Sequence, residues 1–306
     1  MSDSPREKSQ MFLQRNYSFS KERDLMLRGI DTAASGMIAL QRRQDALTNN
    51  LANIDTPGYK KVDTALRAFP EVFLERMNDA KTNPAGNATG FSWIGSMQQG
   101  VYAQENISSF LQGDLVATDN PLDVAIDDRA LPLVNGQKPS IFFAVQNADG
   151  EIRYTRNGRF TVDETGQLTT QEGYKVLNNQ GKPVQAHPLL ASNEVSINAK
   201  GEIILNPDDP ASSSTLDTIG LVQVNNPNAL IKEGNGLFRL DGQNLAPLGQ
   251  LPAGVQLHQK MIETSNVDPT MTMTNMMENV KLYEANQKVL QAYDRSLELL
   301  NSIGKV

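Results

Sequence analysis

The chain has no cysteine, one tryptophan and two histidines in 306 residues. Without thiols there is no disulfide, no thiolate metal site and no cysteine nucleophile, and such a chain suits a protein that leaves the cytosol unfolded. The histidines, His187 and His258, stand far apart and neither has an acidic partner at ligand spacing, which argues against a metal site. No apolar run reaches the length of about 18 residues that a membrane-spanning helix needs. Lys and Arg are not clustered, and the formal charge of −7 argues against a nucleic-acid surface. Residues 1–25 lack the apolar core of a secretory signal and read as a disordered extension. The run Ser20-Lys21-Glu22-Arg23-Asp24-Leu25 before Met26 fits a purine-rich ribosome-binding site read as protein, which makes Met26 the expected start; the intact mass from the native host tests this.

What is present begins with a helical period. From about Leu27 to Asn53 the positions Ile30, Ala33, Met37, Leu40, Gln44, Leu47, Leu51 and Ile54 follow a heptad that only Gln44 breaks. Such a narrow seam calls for a partner helix. The sequence also allows the plainer arrangement, in which each terminal helix simply packs on the middle of the chain. Pro57 ends the first helix, and Thr56-Pro57-Gly58-Tyr59 fits a type II turn. A linker is expected over 61–99: a short apolar segment with Leu66, Phe69, Val72, Phe73 and Met77, then a polar loop from Asn78 to Gly90.

From Gly100 the period becomes alternating and a β domain is expected to Thr264. Glycines at 150, 158, 166, 173 and 181, each in a turn-like cluster, describe an antiparallel meander. Asn206 to Thr218 reads as an exposed loop. A second helix begins with Asp268 as cap and Pro269 at its first position, and Gly304 is its expected stop. Met276, Val280, Tyr283, Gln287, Leu290, Leu297 and Leu300 are expected to line one face of it. The fold class is therefore mainly antiparallel β, with terminal helices that pair as a coiled-coil-like segment.

Catalytic patterns fail when tested. Gly234-Asn235-Gly236 opens like a dinucleotide fingerprint, but Arg239 stands in the third glycine's place, so a hairpin turn is expected. Asn147 and Asp149-Gly150 resemble half a calcium loop, but Val145 occupies the first ligand position, and a turn is expected there too. Asp and Glu are scattered, and no enzyme or cofactor site emerges.

Asn49-Asn50-Leu51-Ala52-Asn53-Ile54-Asp55-Thr56-Pro57-Gly58-Tyr59-Lys60 resembles, almost residue for residue, the signature of the axial rod and hook proteins of the bacterial flagellum. Met26-Leu27-Arg28-Gly29-Ile30, Gln112-Gly113-Asp114-Leu115, Thr118 to Ile126, Tyr154-Thr155-Arg156-Asn157-Gly158-Arg159-Phe160, Gly173 to Leu177, Ser265-Asn266-Val267-Asp268 and Tyr283 to Val289 extend the resemblance over Met26 to Ile303. Residues 127–140 and Pro269 depart from the family pattern. Length favours rod over hook, and Leu66 to Phe73 is similar to Gram-positive rod and hook-basal-body proteins. The resemblance implies a structural subunit of the basal-body rod that stacks helically with copies of itself and with other rod and hook subunits. Such a rod transmits torque and encloses an export channel, and its subunits leave through the flagellar type III apparatus without a cleaved signal. It makes Ile30, Met37, Leu40, Leu47, Leu51, Met276, Val280, Tyr283, Leu290, Leu297 and Leu300 an assembly seam, with Asn53, Thr56, Pro57, Gly58 and Tyr59 as signature turn. Phe69 and Phe73 resemble an export-recognition pair, and equally fit a small hydrophobic cluster. A hook or rod–hook junction protein is the alternative, and a secreted β-rich binding module a distant one.

Overall fold

The computed structural model describes residues 5–70, 72–76, 92–97, 100–134, 136–185, 195–205, 207, 214–241 and 245–303. His187, Gly304 and the loop read at 78–90 lie outside the described residues. Helix α1 (Pro5–Ala52) is followed by β1 (Val62–Ala68), β2 (Val72–Arg76), β3 (Ser92–Met97), β4 (Val101–Ser108), β5 (Leu115–Ala117), β6 (Val124–Asp127), β7 (Ser140–Gln146) and β8 (Ile152–Thr155). Then come β9 (Phe160–Val162), β10 (Leu168–Thr170), β11 (Lys175–Val176), β12 (Val195–Ile197), β13 (Glu202–Leu205), β14 (Ser214–Thr218), β15 (Leu221–Val224), β16 (Leu230–Gly234) and β17 (Leu237–Leu240). Strands β18 (Gln256–Gln259) and β19 (Met261–Glu263) and helix α2 (Pro269–Ile303) complete the chain.

Three boundaries differ from the sequence reading. Helix α1 starts at Pro5 and not near Leu27, so residues 5–25 are helical where disorder was expected. Between Pro5 and Gly29 there is neither proline nor glycine, and Arg, Glu, Lys, Gln, Met and Leu dominate, so nothing in the residues stops the helix from propagating. The expected linker carries strands: β1 pairs with β4, and β2 with β3 in antiparallel register from Val72↔Met97 to Arg76↔Ser92. Of the apolar positions in that segment, Leu66 lies in β1 and Val72 and Phe73 in β2, Phe69 follows β1, and Met77 lies outside the described residues. The loop expected to run to Thr218 ends in β14, which pairs with β13.

The fold divides into two compact units, Met1–Thr48 with Asp63–Asn106 and Met273–Val306, and Asn49–Val62 with Ile107–Thr272. The second unit is the β domain. Strand β7 lies at its centre, pairing with β8 along one edge and with β15 and β11 along the other, all antiparallel. Its sequence, Ser140 to Val145, is buried on both faces. Ile141, Phe143 and Val145 enter one apolar cluster with Val124, Ile126, Phe160 and Leu168; Phe142 and Ala144 enter another with Tyr154, Val222 and Phe238. A continuous apolar run does this because alternate side chains of a strand face opposite sides, and here each side is a core.

The expected meander is partly rearranged. β7–β8, β9–β10 and β10–β11 are adjacent pairs, but β8 is followed in the sheet by β17 and β16, so β9–β10–β11 lies on the far side of β7. The turn at 234–236 joins β16 to β17, and the turn at Asn147 to Gly150 joins β7 to β8, both as expected.

The hairpin turns share a device. Asn147, Asp163, Asn178 and Asn198 each stand three residues before a glycine, at 150, 166, 181 and 201. Each side-chain oxygen accepts the backbone N–H groups two and four residues on: Asp149 and Glu151, Thr165 and Gln167, Gln180 and Lys182, Lys200 and Glu202. The side chain satisfies turn donors that the ladder cannot reach.

Candidate functional site

The signature turn closes as the sequence expects. Tyr59 N–H donates to Thr56 C=O at 3.2 Å, and Gly58 has φ 68°, the sign a type II turn demands of its third residue. Preceding it, Asn53 Nδ2 donates to Asn49 C=O at 2.8 Å and Thr56 Oγ1 to Asn53 Oδ1 at 3.2 Å. Asn50 is 2% exposed and acts as a strand partner for one residue: its Nδ2 donates to Val62 C=O and its Oδ1 accepts Val62 N–H, both at 2.8 Å. Tyr59 Oη donates to Asn49 Oδ1 at 2.7 Å. Asn53 thus takes up a carbonyl freed where α1 ends, and Asn50 ties that end to the start of β1.

The turn docks onto the β domain. Gly58 N–H donates to Glu263 C=O at 2.7 Å, and a Cβ at Gly58 would collide with the backbone of Arg156 and Asn157. Lys60 is 1% exposed; its Nζ donates to Glu263 Oε1 at 2.6 Å and to Leu111 C=O at 2.9 Å. Arg156, also buried, sets Nε 3.1 Å from Glu263 Oε2 and Nη2 3.0 Å from Asp128 Oδ2, and its Nη1 donates to Ile141 C=O at 2.7 Å. Asp128 Oδ2 accepts Ile141 N–H, and Glu263 Oε1 accepts Gly113 N–H. Two buried cations therefore face two buried carboxylates, and backbone groups take part of their hydrogen-bonding capacity, while Arg156 Nε and Nη2 and Glu263 Oε2 are held by ion pairing without an aligned hydrogen bond. Asn266 completes the closure: its Oδ1 accepts Lys61 N–H at 2.7 Å, and its Nδ2 donates to Ser109 C=O and Leu111 C=O.

Burial, reinforced by the neighbouring Arg156 charge, pushes the Lys60 ammonium down to about 8 despite its carboxylate partner. Burial raises the Tyr59 phenol to about 12 and lowers Lys232, whose Nζ lies 3.8 Å from the centre of the Tyr59 ring, to about 8. His258 Nε2 is 4.0 Å from Asp127.

In the other unit, the seam positions of α1 are covered: Ala33, Leu40 and Leu47 are buried, and Ile30, Met37 and Gln44 half-buried. Leu51 and Ile54, beyond the unit's boundary, are half-buried as well. On α2 a line of covered positions steps by four and three through Thr272, Met276, Asn279, Tyr283, Asn286, Leu290, Tyr293, Leu297 and Leu300, with half-buried Asn275 and Ser296 beside it. Val280, 44% exposed, and Gln287 lie off this line. An apolar scan prefers Val280 to its polar neighbour, and therefore misses Asn279 and Asn286. Asn279 Nδ2 donates to Leu40 C=O at 2.9 Å and to Gln44 Oε1 at 2.8 Å. Asp268 caps α2 as expected, its Oδ1 accepting Met271 N–H at 3.0 Å. Phe69 is half-exposed and packs on Tyr102 with ring centres 5.1 Å apart. It follows β1 and Phe73 lies in β2, so their spacing of four does not make a helical face; the Phe73 side chain lies outside the described residues.

Of the missed residues, Lys60 and Arg156 sit inside motifs quoted from the sequence, whereas Asp128 and Glu263 carry no local signal. The repeated Asn/Asp-x-x-Gly pattern at 147, 163, 178 and 198 is a sequence signal for these turns beyond the glycines alone.

Terminal helices with matching seven-residue periods, a β domain and a buried polar joint whose groups bind chain segments to one another define a structural, axial-type subunit. Family models support this from three parts of the chain: the flagella basal body rod protein model over 30–60, the flagellar hook protein FlgE/F/G D1 domain over 138–205, and the flagellar basal body rod FlgEFG C-terminal model over 258–303. The chain is 37% identical to the flagellar hook-basal body complex protein FlhO of Bacillus subtilis, over 92% of this chain and 100% of the relative. It is 32% identical to the flagellar basal-body rod protein FlgF of Caulobacter vibrioides (89% and 96% covered) and 30% identical to the rod protein FlgG of Borreliella burgdorferi (91% and 99%). The chain belongs to the flagellar hook and basal-body rod protein family, a family of structural components of the basal body and not of enzymes.

Proposed function

We propose that this chain assembles with copies of itself and with other rod and hook subunits into a helical segment of the rod, which carries torque and surrounds the export channel. The observation that carries the reading is the four-and-three line of covered positions on α2 facing the heptad of α1, because a narrow seam on long terminal helices can be extended by neighbours in a filament. Burial against several neighbours raises the gain without repeating the ordering cost, so α1 and α2 order fully on assembly. Hydrogen exchange of the isolated chain at low concentration tests this. Weak protection across Ala33 to Leu51 beside strong protection in β7 is the expected result, and strong protection across both would contradict it. Export proceeds through the flagellar type III apparatus with Phe69 and Phe73 as the recognition pair; replacing both by Ala should leave the chain in the cytosol. Similarity to a hook-basal body complex protein supports a second placement near the hook. Labelling of the subunit in isolated basal bodies separates the two.

A further inference from the structure

We infer that the Asn279–Gln44 contact is the register key of the α1–α2 pair: the polar residue pair that fixes which turn of one terminal helix faces which turn of the other. Three contacts define the register. Gly29 faces Tyr293, whose ring would collide with any Cβ there; Gly36 faces Asn286, whose Nδ2 would lie 3.3 Å from an added Cβ; and Gln44 with Leu40 faces Asn279. The helices run antiparallel, since α1 positions that increase meet α2 positions that decrease.

The first two contacts cannot by themselves hold one register. Gly29 and Gly36 are seven apart, and so are Asn286 and Tyr293, so a slip of one heptad puts Tyr293 over the Gly36 notch and keeps every α2 side chain on the seam. The apolar positions repeat at the same interval and slip with equal ease. Gln44 is the single break in the α1 heptad, and Asn279 meets it. Asn279 is 1% exposed, and its Nδ2 is satisfied by Leu40 C=O and Gln44 Oε1. Its Oδ1 has no partner, which is a cost an apolar residue in the same place would not carry. A buried amide that is worse for stability than leucine and meets the only irregular position opposite is the pattern by which one polar residue specifies helix register at some expense of stability. A slip of one heptad brings Asn286 to Gln44 but carries Asn279 to Leu47 and Leu51, where no side chain receives its buried amide.

The absence of cysteine makes the test direct. Full-length chain carrying Gly36→Cys with Asn286→Cys reports the native register after oxidation; Gly36→Cys with Tyr293→Cys reports a one-heptad slip. Both are made with Asn279 kept and with Asn279→Leu, expressed in the motile host and oxidised in purified basal bodies. Immunoblotting for the subunit in those basal bodies reads its incorporation separately from its register. With Asn279 present, the intrachain product should form predominantly at 36–286, with 36–293 a minor product. With Asn279→Leu the 36–293 product should rise about tenfold, the scale set by losing a net preference of one to two hydrogen bonds. Gln44→Leu should do the same, which a merely structural role for Asn279 would not require. Unchanged predominance of 36–286 in both variants overturns the inference, as does a cross-link that joins neighbouring copies in place of one chain's own helices.

Discussion

At the scale of residues, the buried quartet of Lys60, Arg156, Asp128 and Glu263 is unequal in its parts. Glu263 touches both cations, while Lys60 touches one carboxylate, so the two removals differ. Glu263→Gln leaves two desolvated cations with one carboxylate and should cost about 3–5 kcal/mol in urea unfolding followed by circular dichroism. Lys60→Met keeps Glu263 on Arg156 and on Gly113 N–H, fills the same volume, and should cost no more than about 1–2 kcal/mol. The same residues set a pH dependence. Lys60 and Lys232 fall to about 8 on folding, so between pH 8 and 10.5 the unfolded chain binds more protons and stability rises with pH. This contribution is complete above pH 10.5 and is lost as pH falls through 8. Tyr59 acts in the opposite sense: raised from 10 to about 12, it holds its proton longer in the folded state, so stability falls above pH 10. Urea midpoints should therefore peak near pH 10, with a smaller rise from pH 8 in Lys60→Met. None of this could be assembled from sequence, because residues 60, 128, 156 and 263 are brought together only by the fold, and a lone Asp or Glu has no period to betray it.

At the scale of elements, the signature turn shows why a short motif can be so strict. Two glycines with nearly the same backbone angle separate the causes: Gly58 at φ 68° has the Arg156 backbone where a Cβ would go, and Gly181 at φ 77° has open space. Gly181→Ala should cost about 1 kcal/mol, the left-handed backbone cost alone. Gly58→Ala should cost clearly more, about 3 kcal/mol or above, because the turn must also lift off the β domain and strain the Gly58 N–H bond to Glu263. Equal losses in thermal unfolding would mean that the turn does not depend on its docking. What sequence periodicity delivers at this scale is the elements whose signal is local: the end of α1 ahead of Pro57, the cap Asp268, and the turns at 147–150 and 234–236. It missed β1 to β3 because Leu66, Phe69, Val72 and Phe73 are too short a series to tell a strand from a loose apolar segment. It misplaced the α2 face because a hydrophobic scan weighs Val280 above Asn279, although burial follows the position on the helix and not the polarity of the side chain.

At the scale of the molecule, the two compact units make separable demands on the same chain. The β domain has its own apolar clusters around β7, drawn from residues 107–272, and needs nothing from α1 before residue 49 for that core. Leu47 belongs to the other unit, on the α1 seam, where it is 6% exposed. Leu47→Asp puts a carboxylate into that seam with no cation in the heptad to receive it, a cost of several kcal/mol that falls on helix pairing alone. The variant should be exported and keep the thermal unfolding and strand signal of the β domain, yet be missing from isolated basal bodies and leave cells non-motile. A fall in β-domain stability would show that the two units are not independent. Normal motility would rule out the seam as the assembly element, because a charge cannot be buried at that position in a filament without being paired, and the heptad of Ile30, Ala33, Met37, Leu40, Gln44, Leu51 and Ile54 supplies no charged residue to pair it.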